Sequence, residues 1–214
     1  MTASENDARR SPGVALEELR AAAADCRACD LWMNATQTVF GEGDPHARIM
    51  LVGEQPGDAE DVAGLPFVGP AGKLLDRALR EAGIERSDVY VTNAVKHFRW
   101  SETRGKRRFH KKPNTGQVLA CRPWVMSEIE SLRPHVIVLM GATAVESLLG
   151  KGLTLASLRG RAIESALAPY VIVTVHPSSV LRASDDESRR RQLLAFVADL
   201  RLVADLLPLP AAAR

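Results

Sequence analysis

Long hydrophobic runs are missing from this 214-residue sequence. Its longest apolar run, VIVLMGATAV, is about half of the ~20 residues that a membrane-spanning helix needs. The first residues, MTASENDARRSPG, also lack the apolar core of a signal peptide. We therefore expect a protein outside the membrane, with a cytoplasmic location.

Cysteine is equally scarce, with Cys26 and Cys29 close together and Cys121 far along the chain. An odd number at this spacing argues against a disulfide framework and suits a reducing compartment and a metal site. Net charge is small as well, at +2. The basic run GKRRFHKKP, which surrounds His110, is therefore a local concentration of charge.

The chain is of a length that one hydrophobic core can serve, and 46% of its residues are hydrophobic. We predict a single domain over residues 13–208, a disordered tail over 1–12 and a short tail over 209–214.

Four β-branched, almost wholly apolar runs are typical of strands covered on both faces. Amphipathic segments separate them, so the order is βαβαβαβ and the sheet is predicted to be parallel. The predicted strands are RIMLVG (48–53), VYVTNAV (89–95), HVIVLMG (135–141) and YVIVTVHP (170–177). The predicted helices are Leu16 to Ala24, one opened by Pro70, Val118 to Leu132, Ala142 to Leu149, and roughly Ser188 to Leu207.

Polar residues follow every predicted strand, where open parallel sheets bind their ligands. The loops read GEQPGDAEDVAGLPFVGPAGK, TNAVKH, MGATA and VHPSSVLR. Each loop alone is weak evidence of a functional site, because Asn93 could cap a strand end and a lone histidine such as His176 is commonly structural. Four loops at one edge favour a functional site.

The first loop is not a dinucleotide-binding loop. It lacks G-x-G-x-x-G, and its carboxylates would repel a pyrophosphate. It supplies an aromatic platform, Phe67, and carboxylates for electrostatic or acid–base work: Glu54, Asp58, Glu60 and Asp61.

Together these motifs, with CRACDL and ACRPW, resemble the iron–sulfur uracil-DNA glycosylases of family 4 from about Cys26 to Leu207. KRRFH resembles the inserted loop of the UdgX subgroup. The resemblance implies an α/β three-layer sandwich with a four-stranded parallel sheet, a [4Fe–4S] cluster and a uracil flipped out of DNA, single- or double-stranded. We expect a monomer.

The resemblance also implies roles for residues around the flipped base. Phe67 stacks on uracil, and the Asn93 amide accepts from N3–H and donates to O4, a pattern that cytosine reverses. Gln55, Asp58 and Asp61 complete the uracil-binding set. Cleavage makes the sugar cationic and the departing base anionic, so a carboxylate near C1′ and a donor near O2 are needed. The resemblance gives these roles to Glu54 and His176.

The basic loop has two readings. A basic run is commonly a solvated loop that binds phosphate, and its histidine is then incidental. In the UdgX subgroup, the matching histidine attacks C1′ and stays bonded to the sugar. The resemblance gives His110 that role, and the surrounding cations favour the neutral, nucleophilic imidazole. The predicted DNA-binding residues are Lys96, Lys106, Arg107, Arg108, Ser178, Ser179 and Arg182.

The metal site stays open on the residues alone, because a lone C-x-x-C suits zinc or redox chemistry as well as iron–sulfur. Cys26, Cys29 and Cys121 are one thiolate short of the usual four, and His97 stands where the family 4 pattern has its remaining cysteine. We predict a Cys₃His cluster with a structural role.

Two other functions remain possible. An ordinary multiple-turnover family 4 glycosylase would share every motif except the covalent role of His110. A non-catalytic iron–sulfur nucleic-acid-binding protein would keep the basic loop but have no use for Glu54, Asn93 and His176 together.

Overall fold

The computed structural model of the chain describes residues 11–102 and 108–207. Its strands are β1 Ile49–Gly53, β2 Val89–Asn93, β3 Trp100–Glu102, β4 Arg108–His110, β5 Val136–Met140, β6 Ala162–Ser165 and β7 Ala168–Thr174. Its α-helices are α1 Pro12–Ala24, α2 Asp58–Ala63, α3 Pro70–Ala82, α4 Thr115–Leu132, α5 Ala142–Leu149, α6 Leu155–Leu158, α7 Pro177–Leu181 and α8 Asp186–Leu206. Two short 3₁₀ turns cover Asp30–Met33 and Arg86–Asp88.

The central sheet has the order β2-β1-β5-β7-β6. The first four of these strands pair in parallel, as predicted, and their bounds differ from the predicted ones by a few residues at most. The fifth, β6, pairs antiparallel with β7 and was not predicted. Its residues alternate between exposed and half-buried, because an edge strand lacks the two-sided cover that made the other four visible in the sequence.

Helices cover both faces of the sheet, which confirms the predicted sandwich. On one face, α3 and α8 pack their apolar stripes against Leu51, Val91 and Val138. On the other, α4 and α5 pack against Val52, Ile137 and Val173, with Leu16 of α1 in the same core. Every residue of β1, β2 and β5 is buried, as strands between two helical layers must be.

The five predicted helices are all present, with ends shifted by a few residues. The first begins at Pro12, a residue inside the predicted tail, because proline suits the first turn of a helix. Residues 1–10 and 208–214, which hold most of both predicted tails, lie outside the described part of the chain. Within the described ranges, none of the helices combines the length and apolarity needed to cross a bilayer.

A second, two-stranded sheet is formed by β3 and β4, which pair antiparallel and set Trp100 opposite His110. This hairpin includes the end of the basic run, and the sequence did not predict its strands. Residues 103–107, including the predicted DNA contacts Lys106 and Arg107, are outside the described ranges.

Candidate active site

Three of the four loops that follow the parallel strands, together with the β3–β4 hairpin, line one cavity of about 470 Å³. The strand order reverses between β1 and β5, so the chain leaves these neighbours in opposite directions and opens a crevice at their carboxyl ends. The cavity is lined by Gln55, Gly57, Asp58, Ala59, Glu60, Phe67, Pro70, Ala71, Asn93, His110, His176, Ser178, Leu181 and Arg182.

Gly53, the last residue of β1, makes room for the cavity. A Cβ atom there would lie 2.4 Å from Asn93 Oδ1, 2.7 Å from Phe67 Cζ and 3.3 Å from His176 Nε2. The first two distances are too short for real contacts, and the third is tight. The missing side chain thus lets three predicted base-binding groups converge on one space.

Asn93 presents an acceptor to this space. The residue is 2% exposed, and among the described residues nothing donates a hydrogen bond to its Oδ1. Because a buried oxygen without a partner is costly, it is suited to a ligand that brings its own N–H. The backbone behind it is fixed, since the N–H groups of Ala94 and Val95 donate to the carbonyls of Gly53 and Glu54 at 3.0 Å each.

Phe67 is held in an unusual backbone conformation. Its φ is 57°, in the left-handed region that bulky residues rarely occupy. Gly72, in the first turns of α3, allows this approach, because a Cβ there would lie 1.6 Å from the Phe67 carbonyl oxygen. The ring faces that of His176, with centroids 6.1 Å apart and an angle of 28° between the planes. The loop thus exposes one aromatic face to the cavity.

His176 is oriented as a hydrogen-bond donor. Its Nδ1 accepts from the backbone N–H of Ser178 at 3.2 Å and lies 2.8 Å from the Ser178 hydroxyl. Burial lowers the pKa of His176 to about 4, so the ring is neutral at pH 7. A neutral imidazole with Nδ1 as acceptor carries its proton on Nε2, and Nε2 is the atom that faces the space beside Gly53.

Glu54 lies directly after β1 and is ionised at neutral pH. Burial raises the pKa of this carboxyl, but hydrogen bonds with His110 and Thr143, together with the charge interactions of His110 and His176, bring the pKa below the ordinary value. The Thr143 hydroxyl donates to Oε2 at 2.6 Å, and Oε1 lies 3.3 Å from His110 Nε2. Thr143 was not predicted as a site residue. Its only signal in the sequence was its place in MGATA, one of the four polar segments that follow the predicted strands.

His110 reaches the cavity from the β3–β4 hairpin, with its side chain about half exposed. Gln55 fastens the base of this hairpin. Its Nε2 donates to the carbonyls of Arg99 and Lys111 at 3.2 and 3.1 Å, and its Oε1 accepts from the N–H of Arg99 at 3.1 Å. Gln55 lines the cavity while its side chain holds the hairpin, and the expected contribution of backbone amides near Gln55 to the base pocket stays a prediction.

Arg108 and Asp61 form an ion pair, which corrects their predicted roles. The guanidinium Nη1 of Arg108 is 2.5 Å from the fully buried carboxylate of Asp61, and its Nε is 2.5 Å from Asp58. Asp61 also accepts from the N–H and hydroxyl of Thr36. With its donors directed inward, Arg108 attaches the hairpin to α2 and is not free for phosphate. Asp61 is not among the cavity-lining residues, whereas Asp58 is.

Glu60 was another candidate for acid–base work. Its carboxylate accepts from the N–H groups of Gly57 and Gly69, at 3.1 and 2.8 Å. These bonds tie the two ends of the loop around α2, so Glu60 shapes the cavity wall. The candidates therefore differ in place: Glu54 lies beside the cavity and contacts the lining residue His110, Glu60 lines the cavity with its oxygens bound by backbone N–H groups, and Asp61 lies outside the lining.

Lys96 does not contact DNA. Its side chain is completely buried, and its ammonium group is 2.5 Å from Glu128 Oε2, 2.5 Å from the Thr92 hydroxyl and 3.0 Å from the Asn93 carbonyl. The prediction failed because a lysine beside a functional asparagine looks the same in sequence whether it points outward or inward.

The loop after β7 supports His176 and reaches the rim of the cavity. The Ser179 hydroxyl donates to the His176 carbonyl at 2.8 Å, and Arg182 Nη1 donates to the Ser178 hydroxyl at 3.0 Å. Ser178 and Arg182 line the cavity beside the exposed Leu181. Their predicted contact with DNA stays a prediction.

The predicted metal ligands lie in one region away from the cavity. Cys29 packs with Cys121 in a small apolar cluster, Trp124 Nε1 donates to Cys26 Sγ at 3.1 Å, and the Lys96 N–H donates to Cys121 Sγ at 3.1 Å. Burial raises the pKa of Cys121 to about 12, and the neighbouring Cys26 and Cys29 add to the effect. The fourth predicted ligand, His97, has a different neighbour: its Nε2 lies 2.9 Å from the Thr38 hydroxyl. In the described part of the chain, no three Cys, His, Asp or Glu side chains form a group that could hold a metal ion.

A larger, open groove of about 1080 Å³ lies at the opposite edge of the sheet, between α1, α4 and the turn that precedes β7. Arg133, Pro134 and Pro169 place it at the amino ends of the strands. The described residues that line it include no histidine or cysteine. The smaller cavity, with its convergent polar groups, is the better candidate for chemistry.

Comparisons with known proteins identify the family. The family model described as the uracil DNA glycosylase superfamily matches residues 40–201. A type-4 uracil-DNA glycosylase of Thermotoga maritima is 42% identical over 166 residues, which cover 77% of this chain and 82% of the relative. Type-4 enzymes of Saccharolobus solfataricus and Pyrobaculum aerophilum are 37% and 35% identical over 164 and 174 residues, covering 73% and 78% of this chain and 72% and 85% of the relatives.

The chain therefore belongs to the uracil DNA glycosylase superfamily, and it is a uracil-DNA glycosylase. These relatives favour the ordinary family 4 activity over the covalent reaction that was the first expectation. They do not show membership of the UdgX subgroup.

Proposed function

We propose that the cavity binds a uracil flipped out of DNA and that the chain hydrolyses its N-glycosidic bond in the manner of the type-4 enzymes. The observation that carries this proposal is the convergence of Asn93 Oδ1, Phe67 and His176 Nε2 on the space beside Gly53. The unpartnered Oδ1 suits N3–H of uracil, and the Phe67 ring suits the face of the base. DNA that contains uracil is the partner on this reading.

The proposed reaction breaks the bond between C1′ and N1, and the electron pair leaves with the base. Nε2–H of His176 donates to O2 of the departing anion, where a fixed donor acts most strongly. The Glu54 carboxylate, kept ionised and oriented by Thr143, stabilises the positive charge that develops at C1′. Water then adds to C1′ and releases one proton, which leaves an abasic site.

A second candidate, capture of the sugar by His110, is favoured by one observation. His110 Nε2 lies 3.3 Å from Glu54 Oε1, so the nitrogen that would attack C1′ is adjacent to the carboxylate that would stabilise positive charge there. In this reaction the lone pair on Nε2 of the Nδ1–H tautomer bonds to C1′, the electron pair of the broken C1′–N1 bond leaves with uracil, and Nδ1 releases its proton to water, so the protein stays attached to the DNA. The ordinary reaction has the support of the relatives and stands first.

We also propose that Cys26, Cys29 and Cys121 hold a [4Fe–4S] cluster, with His97 as the fourth ligand. Each iron of such a cluster takes one protein ligand, so the donors need not converge on a single point as they do around one metal ion. Two of the thiols already accept N–H hydrogen bonds, which are typical around cluster sulfurs. When bound, the cluster would tie the segment after α1 to α4 as a structural element. Iron and acid-labile sulfide analysis of protein purified without oxygen, with a matched Cys121→Ala sample, tests the proposal.

The proposed activity is tested with oligonucleotides that carry one uracil or one thymine, each single- and double-stranded. We expect alkali-labile breaks only in uracil DNA, with more than one product per protein molecule. A protein–DNA band that survives denaturation and a yield capped at one product per molecule would favour capture by His110. Binding without release of free uracil would instead indicate a non-catalytic protein. Sedimentation of the same sample tests the expected monomer.

Asn93→Ala provides the matched control for the assignment of the base pocket. Loss of the two-point contact with uracil should weaken excision by ~1–3 kcal/mol, the usual value of a bidentate base contact. Normal single-turnover excision by this variant would contradict the assignment.

A further inference from the structure

The Lys96 ammonium group has three N–H donors, and the protein satisfies all three. Their acceptors are a carboxylate oxygen of Glu128, the hydroxyl of Thr92 and the backbone carbonyl of Asn93. The side chain is fully buried and also lies over the Phe40 ring, 5.3 Å from its centroid. A buried charge this well paired has a fixed position.

Glu128 is fixed in the same way. It projects from α4 and is fully buried, and its Oε1 accepts from the Tyr90 hydroxyl, the Thr92 hydroxyl and the N–H of Gly41 at 3.0 to 3.1 Å. A Cβ at Gly41 would collide with Tyr90 and Glu128, so the backbone closes around the ion pair. The pair is thus anchored to α4, β2 and the segment that precedes β1.

The pair acts on the segment that carries the base pocket. Lys96 holds the carbonyl of Asn93 from the side away from the cavity, while the next two N–H groups, of Ala94 and Val95, hold the carbonyls of Gly53 and Glu54. The backbone N–H of Lys96 donates to Cys121 Sγ. One short turn therefore connects the proposed uracil-reading amide, the loop of the proposed catalytic carboxylate and the cysteine region.

We propose that Lys96, held by Glu128, is a positioning residue that sets the orientation of the Asn93 amide toward uracil. The inference rests on the proposed role of Asn93 as the uracil-reading residue. The amide of Asn93 has no side-chain partner at its Oδ1, so its placement depends on its backbone, and the ammonium group is what fixes that carbonyl. A small displacement of a binding group changes a reaction rate strongly.

The paired variant Lys96→Met/Glu128→Gln separates positioning from folding. Methionine fills the space of the lysine stem, and glutamine retains an oxygen for Gly41 and Tyr90, so neither side chain is left as a lone buried charge. The double variant removes the donor to Asn93 together with the donors to Thr92 and Glu128. Lys151→Met, at an exposed lysine after α5, makes the same substitution away from the site. Thermal unfolding of each variant establishes that it folds.

Single-turnover excision at saturating protein is the first readout, and affinity for uracil-free DNA is the second. We expect the double variant to excise uracil about tenfold to a hundredfold more slowly, with uracil-free DNA affinity and its salt dependence unchanged. Inhibition by free uracil should weaken in parallel. Lys151→Met should match the unsubstituted protein in all three measurements.

The third readout is a double-mutant cycle with Asn93→Ala. If Lys96 acts through Asn93, then Asn93→Ala lowers the excision rate by a much smaller factor in the Lys96→Met/Glu128→Gln background than in the unsubstituted chain. A folded double variant with a normal excision rate would overturn the inference. So would a combined variant whose rate loss equals the product of the loss from Asn93→Ala and the loss from Lys96→Met/Glu128→Gln. A weaker affinity for uracil-free DNA with a shallower salt dependence would also overturn it, in favour of a phosphate contact.

The same data distinguish failure of the inference from failure of the proposed function. If the unsubstituted protein does not excise uracil, or Asn93→Ala excises it normally, the assignment of the pocket is wrong. If both behave as proposed and the Lys96 pair has no effect, only the positioning role is wrong.

Discussion

His176 and His110 approach the same cavity from parts of the molecule that are built differently. His176 follows a central strand, its Nδ1 is satisfied by the backbone of its own loop, and burial keeps it neutral. His110 lies on a two-stranded hairpin outside the main sheet and is about half exposed. The first is positioned by the core of the fold, and the second by a few side-chain contacts, chiefly those of Gln55 and Arg108.

This contrast suggests that the two histidines have separable tasks. A group that must stabilise a leaving anion benefits from a rigid, dry position. A group that meets C1′ after the base has moved away needs access more than burial. The hairpin can therefore change its contribution without disturbing the base pocket, and the following predictions test this separation.

The largest effect is expected for His176→Asn. Asparagine caps α7 as well as histidine does, but it withdraws the donor from the cavity. Removal of one oxyanion donor costs about 10²- to 10³-fold in rate. Single-turnover excision measures the loss, and thermal unfolding should show a nearly unchanged midpoint. A variant as active as the unsubstituted protein would remove His176 from the reaction.

A smaller effect is expected for Gln55→Ala, which removes three hydrogen bonds at the base of the hairpin. These partners are only partly buried and the Arg99 carbonyl keeps the Lys111 N–H, so the loss of stability should be roughly 0.5–1.5 kcal/mol per bond at most. Hydrogen exchange should accelerate over residues 99–102 and 108–111 and stay unchanged over 174–182. If exchange in the hairpin of the variant stays as slow as in the unsubstituted protein, Gln55 does not hold the hairpin.

His110→Ser should change base excision by less than about tenfold, equivalent to roughly 1.4 kcal/mol, because Glu54, Asn93 and His176 remain. If His110 captures the sugar, the variant also loses the denaturation-resistant adduct and gains multiple turnover. A gel that resolves free DNA from attached DNA measures both. A variant that forms the same adduct would exclude His110 as the attacking group.

The last prediction concerns the effect of pH on stability and leaves excision aside. The pKa of His176 is about 4 in the folded chain and near 6.5 for a free histidine, so between these values the unfolded chain binds a proton that the folded chain does not. Its contribution therefore makes stability fall as the pH is lowered from 6.5 towards 4. NMR of ring-labelled histidine should find His176 neutral down to about pH 5. Protonation near pH 6.5 would contradict the buried, neutral donor.

The parallel strands and the loops at their ends could be predicted because buried strands leave continuous apolar runs, and the chain order fixes which ends meet. What could not be predicted depends on the direction of individual side chains. Lys96 and Arg108 looked like phosphate ligands, but both point inward to carboxylates. Gln55 and Asp61 likewise support the site from beneath. β6 was missed because it lies at an edge and alternates in exposure.

The left-handed backbone of Phe67 has a consequence for how this sequence can change. A glycine or asparagine at that position would relieve the backbone strain, but it would also leave a void, because the ring belongs to the same buried apolar cluster as Leu75 and Leu79. Neither residue offers an aromatic face to a base. One ring thus fills the core and, on our proposal, supports the substrate, so few other side chains can replace it.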